Sequence, residues 1–312
     1  MKENKCYYVC SRGILKSCNF HSPKPKSSCN NDYQYLIYML KTNKMFNGMS
    51  IYVCSDLLYF FVNKILPKIK KTFILVTGDS DLCVPREALT DKETFALLNY
   101  PYLLKWFIQN TQVQDNPKIV QLPIGLDYHT ISENPSCNWK LIEEGRLPKE
   151  QENVLMNIAN PSSSSSSASN FKPFYERIPK IYVNFSISSD RFGQRRSSLA
   201  IIPKELLVIN QGSTPRTITW QNTINYTFVL SPTGVGLDCH RTWEALCLGC
   251  IPIVCIPNFK QLFEDLPVLI VDNWSQITVE LLQTTIEQFR EKVFNYDKLT
   301  LSYWKNRIKN GI

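Results

Sequence analysis

One stretch of the sequence, Phe228–Val254 (FVLSPTGVGLDCHRTWEALCLGCIPIV), indicates how the chain folds and what it binds. It opens with an apolar run that stops at a serine and a proline, as a buried strand does before a loop. The loop contains Gly234 and Gly236, which allow the backbone to approach a bound molecule closely. We expect Asp238 to cap the following helix and Gly249 to end it in the left-handed region. The stretch therefore predicts a strand, a glycine loop, a helix and a second strand.

The helix predicted at Asp238–Leu248 carries side chains that suit an anionic ligand. Its N-terminus presents unpaired backbone N–H groups and a partial positive charge, which together favour phosphate. His240 and Arg241 fall in the first turn, where cations oppose the helix dipole unless an anion is bound. Glu244 shares their side of the helix and can accept hydrogen bonds from ribose hydroxyls. The alternative is a structural pair between Arg241 and Glu244 on the surface, with His240 as an ordinary polar residue.

The segment Ser231–Val254 resembles the nucleotide-sugar motif of the exostosin-like glycosyltransferases, and weaker likeness extends over Phe73–Asp81 and Lys118–Asp127. A glycine loop, a helical Glu-Ala-Leu and then Gly-Cys-Ile-Pro-Ile-Val also occur in many two-domain glycosyltransferases of the GT-B class. The resemblance implies that the C-terminal domain binds a nucleotide-diphospho-sugar, with a helical Glu on the ribose and an upstream Arg on the diphosphate. The ribose role falls on Glu244, and the diphosphate role on Arg195 or Arg196. Together with the glycine loop and the start of the helix, the candidate donor-binding residues are Arg195, Arg196, Ser231, Gly234, Gly236, Asp238, His240, Arg241 and Glu244.

The same resemblance implies a reaction. A sugar passes from the donor to a hydroxyl group of a glycan or other acceptor, with inversion at the anomeric carbon and without a metal ion or other cofactor. We expect the nucleotide diphosphate to leave with help from Arg196, His240 and the helix dipole. The alternative function is a non-catalytic nucleotide- or glycan-binding protein on a degenerate transferase scaffold. The transferase needs a base in the N-terminal half that deprotonates the acceptor, whereas the binding protein needs none.

Apolar segments with strand character alternate with helical patterns along the chain. Strands are predicted at Lys5–Val9, Ser50–Cys54, Thr72–Thr77, Tyr102–Gln109, Ile119–Pro123, Lys180–Phe185, Glu205–Ile209, Tyr226–Leu230, Ile251–Ile256 and Val268–Val271. Helices are predicted at Tyr33–Leu40, Asp56–Ile69, Gln194–Ile201, Asp238–Leu248 and Thr278–Phe294. The alternation predicts an α/β fold with parallel sheets in both halves. Together with the resemblance, it predicts two Rossmann-like domains that face a cleft, as in GT-B enzymes.

A run of serines near the middle of the chain, Ser162–Ser167, marks the predicted boundary between the halves. Such a run cannot bury apolar surface and is typical of a flexible linker. We therefore predict an acceptor-binding domain over residues 1–155, a linker over 156–174 and a nucleotide-sugar-binding domain over 175–312. The last helices are expected to pack back on the N-terminal domain, as they often do in the GT-B class.

Three residues of the N-terminal half are candidates for the base that deprotonates the acceptor hydroxyl. Asp79 and Asp81 follow the strand predicted at Thr72–Thr77, so their loop lies at the functional edge of a parallel sheet. We favour Asp81 because it lies furthest along this loop. The alternatives for the pair are an Asp-rich turn and, as in the D-x-D motif of GT-A enzymes, a metal site. His129, in GLDYHT, is the third candidate.

Composition sets the remaining expectations. The formal net charge of +8 suits an anionic ligand, but the basic residues are scattered, so nucleic acid is not an expected partner. No apolar run reaches the roughly 20 residues of a membrane helix, and the N-terminus lacks the apolar core of a signal peptide. The 11 cysteines without paired C-x-x-C spacings predict reduced thiols rather than a zinc site. We therefore expect a cytoplasmic protein.

If Glu244 binds ribose, replacing it with alanine weakens nucleotide binding. We expect Glu244→Ala to bind UDP or GDP less tightly by about 1–3 kcal/mol, the scale of a hydrogen bond to a charged group. Isothermal titration calorimetry against the parent chain measures the difference. Unchanged affinity for every nucleotide that the parent binds would remove Glu244 from the donor site.

Overall fold

The computed structural model describes residues 3–25, 32–42, 44–134, 136–137, 145–160, 172–210, 212 and 214–311. Within these ranges the chain forms two parallel β-sheets, one in each half, with helices between the strands. The predicted α/β fold with parallel sheets in both halves is therefore confirmed. The serine run of the predicted linker, Ser162–Ser167, lies outside the described residues.

Among the described residues, the first sheet has four strands, which lie side by side in sequence order. They are β1 (Met49–Cys54), β2 (Phe73–Gly78), β3 (Leu103–Ile108) and β4 (Ile119–Gln121). Leu75 belongs to one apolar core, whereas its neighbours Ile74 and Val76 belong to another. Both faces of this sheet are therefore covered, as the continuous apolar character of β2 requires.

In the described part of the chain, the second sheet has five parallel strands. They are β5 (Ile178–Val183), β6 (Leu207–Ile209), β7 (Tyr226–Leu230), β8 (Ile251–Val254) and β9 (Leu269–Ile270). Their order across the sheet is β6-β5-β7-β8-β9. After β5 the chain forms β6 on one side of β5 and then crosses to the other side to form β7. The carboxyl ends of β5 and β7 frame the crevice at this reversal, which is where open α/β sheets bind ligands.

Helices connect the strands and cover the sheets. α1 to α6 are Ser11–Leu15, Gln34–Lys41, Leu58–Phe60, Asp91–Leu98, His129–Glu133 and Pro148–Ala159. α7 to α12 are Gln194–Ile201, Arg216–Thr223, His240–Cys247, Lys260–Phe263, Val279–Glu291 and Leu301–Asn310. No helix within the described ranges has both the length and the apolar character that crossing a membrane requires.

Most predicted elements form where the sequence places them. α7 and β7 have the predicted bounds, and Gly249 ends α9 with a φ of 71°, in the left-handed region as expected. The predicted helix at Asp56–Ile69 is helical but irregular, because 3₁₀ and π turns flank α3.

The strand predicted at Lys5–Val9 is wrong, because this segment pairs with two loops instead of joining a sheet. The Val9 carbonyl accepts from the Leu126 backbone N–H, and the Val9 N–H donates to the Leu299 carbonyl; both bonds are 2.8 Å long. Leu301, at the start of α12, donates in turn to Tyr7. The N-terminal segment therefore lies between a loop of the first half and the last helix.

The apolar interior continues from one half into the other. One core contains Val9 and Leu126 from the first half together with Trp243 and Leu246 of α9. Trp304 of α12 belongs to the same core and is 1% exposed. Burial of such large side chains stabilises the contact between the halves, since each aromatic residue removes a large apolar area from water.

Gly125 offers a test of how tightly the N-terminal segment is held. Its φ is 65°, and a Cβ at this position would stand 2.3 Å from the Val9 carbonyl oxygen. We expect Gly125→Ala to lower the free energy of unfolding by clearly more than the roughly 1–2 kcal/mol of a left-handed alanine alone. Gly48→Ala is the matched control, because Gly48 has a φ of 82° with nothing within 4 Å of such a Cβ. If urea unfolding shows the same loss of unfolding free energy for both variants, the N-terminal segment moves aside to accommodate the added methyl group.

Candidate functional site

The two sheets turn their carboxyl ends toward each other. The Asp238 backbone N–H, in the loop after β7, donates to Asn110 Oδ1, just beyond β3, at 2.9 Å. In the same region His240 Nδ1 lies 2.7 Å from the carbonyl oxygen of Gly125. Loops at the carboxyl ends of parallel strands hold most ligand sites of α/β proteins. The space around these loops is therefore the candidate site.

Asp238 holds this arrangement together. Its carboxylate is buried and accepts from the Ile124 N–H at 2.8 Å, from the Cys239 N–H at 2.9 Å and from Trp243 Nε1 at 2.9 Å. Burial raises the pKa of Asp238 to about 6, and these donated hydrogen bonds oppose the rise. The prediction that Asp238 caps the helix is wrong: α9 begins at His240, and Cys239 occupies the cap position without a side-chain bond. The reason is that Asp238 bonds across to the other half.

Two arginines meet at the crevice between β5 and β7. The guanidinium carbons of Arg195, on α7, and Arg241, on α9, lie 5.6 and 5.1 Å from the ring centre of Phe185. Arg195 Nε also donates to the Thr233 carbonyl at 3.3 Å, and its Nη1 donates to the Ser186 carbonyl. These bonds fix the Arg195 guanidinium at the mouth of the crevice.

Neither of these arginines is neutralised by a carboxylate in the part of the chain that the structure describes. Arg195 is buried, and Nη1 of Arg241 is buried without a hydrogen-bond partner. Burial lowers the pKa of Arg241, and the charge of Arg195 lowers it further, while Glu244 opposes both effects. Positive charge held away from water without a carboxylate at salt-bridge distance is costly, so this pair is suited to receive an anion.

The other predicted donor residues take different positions. The Ser231 hydroxyl shares a 2.8 Å hydrogen bond with that of Thr242, and both are buried, so Ser231 joins β7 to α9. Arg196 is exposed, and its backbone N–H donates to Asp190. Gly234 and Gly236 lie in the loop between β7 and α9, where side chains of the surrounding residues approach the backbone.

Glu244 belongs to a chain of charged groups that runs between the halves. Its Oε1 lies 3.8 Å from Arg216 Nε, and Arg216 Nη2 lies 3.2 Å from Asp127 Oδ2. Asp127 Oδ1 in turn lies 3.2 Å from His129 Nδ1. The ring of His129 stands edge-on to that of His240, with 6.2 Å between centroids. The partner of Glu244 is therefore Arg216 and not Arg241, the pairing that the sequence left open as an alternative.

The three candidate bases have different surroundings. The Asp79 carboxylate forms a salt bridge with the buried guanidinium of Arg12, whose Nη2 also lies 3.1 Å from Glu133 Oε2. The Asp79 carboxylate is therefore engaged by Arg12. Burial lowers the pKa of His129, although the charge of Asp127 opposes this. His129 is therefore held in its neutral, basic form near neutral pH.

Asp81 is turned toward the other half. Its Oδ1 lies 3.2 Å from the position that a Cβ on Gly236 would occupy, so it faces the glycine loop. Among the described residues, the Asp81 carboxylate makes no hydrogen bond or salt bridge. Burial raises the pKa of Asp81, with Asp56 acting in the same direction and His240 against it. A half-buried carboxylate with a raised pKa suits general-base chemistry.

Sequence reasoning missed Arg12, Asp127 and Arg216, which supply much of the charge in this region. Arg216 begins α8 just as His240 begins α9, so a cation in the first turn of a helix is the signal that could have found it.

No protein-family model and no curated protein matches this chain. The geometry at the carboxyl edges therefore carries the functional interpretation.

Arg241 provides a direct test of the anion site. Because its Nη1 has no partner, we expect Arg241→Gln to leave the melting temperature of the ligand-free protein unchanged or raised. Inorganic pyrophosphate should raise the melting temperature of the parent chain but not that of the variant, since binding only to the folded state stabilises it. Differential scanning fluorimetry measures both effects.

The matched control for this variant is Arg290→Gln, because the Arg290 side chain, on α11, is 62% exposed. It should retain the response to pyrophosphate. A large loss of stability in Arg241→Gln without ligand would mean that the folded chain already compensates this charge, and the anion-site interpretation would fail.

Proposed function

We propose that this chain is a glycosyltransferase of GT-B architecture that transfers a sugar from a nucleotide-diphospho-sugar to a hydroxyl group of a glycan or other acceptor. The observation that carries the proposal is the pair Arg195 and Arg241, which lie over Phe185 at the crevice and have no carboxylate partner among the described residues. Two guanidinium groups, of which that of Arg195 is fixed by hydrogen bonds, and the N-terminus of α9 complement a diphosphate in charge and in hydrogen-bond donors. The motif resemblance described above points to the same donor.

The donor would lie along the start of α9. The diphosphate would contact Arg241 and Arg195, and the exposed position of Arg196 makes it the weaker candidate of the adjacent pair. Glu244, one turn further along the helix, would accept hydrogen bonds from the ribose. Arg216 Nε lies 3.8 Å from Glu244 Oε1 and would help to position this carboxylate for those bonds.

In the proposed reaction, Asp81 acts as the base. It takes the proton of the acceptor hydroxyl as that oxygen attacks the anomeric carbon, and the bond from this carbon to the diphosphate oxygen breaks. The negative charge that develops on the leaving diphosphate is stabilised by Arg195 and Arg241. Attack opposite the leaving group inverts the anomeric centre. Since the guanidinium groups supply the positive charge, the proposal requires no metal ion.

His129 is the second candidate base. Asp127 lies 3.2 Å from its Nδ1 and fixes the ring orientation, as the carboxylate partner of a catalytic histidine does. We favour Asp81 because its carboxylate faces the glycine loop of the donor-binding half directly. If the chain has no working base, it is the non-catalytic nucleotide- or glycan-binding protein that the sequence leaves as the alternative.

A panel of UDP-, GDP- and CMP-sugars identifies the donor by calorimetry, and release of the nucleotide in the presence of acceptor glycans then reports turnover. We expect Asp81→Asn to keep the nucleotide affinity of the parent, because Asp81 belongs to the opposite half from the proposed diphosphate and ribose contacts. Turnover should fall ~10²–10⁴-fold, the usual contribution of a general base.

Asp272→Asn is the control for this variant, because Asp272 is exposed beyond β9 and should not affect either measurement. Near-normal turnover of Asp81→Asn would transfer the role to His129. A chain that binds a nucleotide-sugar without ever releasing the nucleotide would favour the non-catalytic alternative.

A further inference from the structure

The amino edge of the first sheet, opposite the edge that bears the candidate site, is strongly basic. β1 and β2 run parallel and begin at this edge, and the helical segments before them end at Lys41 and Lys68. Residues 38–48 and 64–72 contain six lysines and no Asp or Glu. Six exposed residues of these segments form one surface, the basic edge: Lys41, Lys44, Phe46, Lys68, Lys70 and Lys71.

Hydrogen bonds join the two loops of the basic edge. The Gly48 N–H donates to the Thr72 carbonyl at 2.8 Å, and the Thr72 N–H donates to Asn47 Oδ1 at 3.1 Å. Phe46 directly precedes Asn47, and Lys71 directly precedes Thr72. The aromatic ring and the ammonium group are therefore carried by adjoining segments of backbone.

The lysines of the basic edge are not neutralised by nearby carboxylates. Within the described ranges, no Asp or Glu lies at salt-bridge distance from any of them. Stabilisation of the helix dipole explains Lys41 and Lys68, which end helical segments, but not Lys70 and Lys71, which follow them. The loop that leads into β4 adds the exposed Asp115 to this side of the sheet. The surface thus keeps an excess of positive charge.

The last helix brings further positive charge to the same side of the sheet. A Cβ on Gly311, at the end of α12, would stand 3.6 Å from Ile74 Cδ1 and 3.8 Å from Lys105 Cγ, near the start of β2. Lys309 is exposed two residues earlier, and no Asp or Glu follows Asp297 in the sequence. Elements on both faces of the first sheet therefore place basic side chains near its amino edge.

Aromatic rings stand among these lysines. Phe46, in the loop between α2 and β1, is 51% exposed. Tyr38 is 53% exposed, and its hydroxyl accepts a 3.3 Å hydrogen bond from Lys44 Nζ. Exposed aromatic rings beside lysines are typical of protein surfaces that enter the headgroup region of a bilayer, where the rings leave water and the ammonium groups contact phosphate.

We propose that the basic edge docks on a membrane surface rich in anionic phospholipid, with its lysines on the headgroup phosphates and Phe46 among the headgroups. A nucleic acid is the other polyanion that such a charge could attract. Residues 38–48 and 64–72 contain no arginine, however, which is the residue best suited to nucleic-acid recognition. An ammonium group acts as a point charge without a preferred geometry, and this suits mobile lipid headgroups.

The docking surface is separate from the candidate site. The six residues of β2 place the two edges of the sheet about 20 Å apart, so the carboxyl edge faces away from a membrane held at the basic edge. The inference therefore does not depend on the proposed transferase function.

The test is co-sedimentation of the full chain with vesicles of phosphatidylcholine, alone or with phosphatidylserine at about 30 mol%, a charged surface of the kind that attracts lysines. One variant combines Lys70→Gln with Lys71→Gln, and another carries Phe46→Ser. The control that combines Lys180→Gln with Lys204→Gln removes the same charge from exposed positions of the second half. Val293→Ser is the control for Phe46, because Val293 is an apolar residue with 91% exposure.

We expect the parent chain to bind the anionic vesicles, to bind neutral vesicles far more weakly and to lose binding at high salt, which screens the charges. Removing Lys70 and Lys71 should lower the partition coefficient ~10–25-fold, since each lysine near an anionic surface contributes about fivefold. Phe46→Ser should lower it about tenfold, because the ring no longer leaves water. Both controls should bind as the parent does, and nucleotide affinity should be unchanged in every variant.

Several results would overturn the inference. They are absence of parent binding to anionic vesicles, equal binding to neutral vesicles, and equal partitioning of the basic-edge variants and their controls. Oligonucleotide binding that depends on Lys70 and Lys71, without vesicle binding, would assign the surface to nucleic acid instead. Loss of vesicle binding in Arg241→Gln or in the presence of pyrophosphate would place the lipid phosphates at the anion site between β5 and β7. If no nucleotide binds but vesicle binding depends on Lys70 and Lys71, the docking surface stands and the transferase function fails.

Discussion

The buried carboxylate of Asp238 is the contact on which the relation between the two halves depends. It belongs to the loop after β7, yet it accepts a hydrogen bond from the Ile124 backbone, beyond β4. Its own backbone N–H donates to Asn110, beyond β3. A carboxylate has no favourable place in a protein interior unless donors surround it, so these bonds fix the distance between the two carboxyl edges. Because that distance is fixed, Asp81 stands against the glycine loop.

The buried and half-buried arginines of this region fall into two groups. Arg12 and Arg216 each have carboxylate partners, so their charges are compensated within the chain. Arg195 and Arg241 have none among the described residues, and they share the ring of Phe185 instead. Carboxylate side chains of this protein therefore neutralise two arginines close to the site. Among the described residues, the two at the crevice of the second sheet have no carboxylate at salt-bridge distance, and this contrast supports the proposed anionic ligand.

Local patterns predicted the elements but not the contacts between them. β7, α7 and the left-handed Gly249 follow from hydrophobic runs and from glycine placement, which act within a few residues. Asp127 and Arg216 are far apart in the sequence, and their pairing exists only once both halves have folded. The same holds for Asp238, whose side chain would cap its own helix if no other donors were present. For Lys5–Val9, an apolar pattern correctly indicated burial but could not show that the partners are loops.

The glycine loop connects the sequence motif to both sides of the site. Gly234 and Gly236 are not among the glycines with positive φ, so backbone conformation does not require them. A Cβ on Gly234 would stand 2.5 Å from Arg195 Nη2, and one on Gly236 would stand 3.0 Å from Asn110 Nδ2 and 3.2 Å from Asp81 Oδ1. Glycine is therefore needed because side chains approach the loop closely from both directions. The small loop thus lets a cation from its own half and a carboxylate from the opposite half approach the same short segment of backbone.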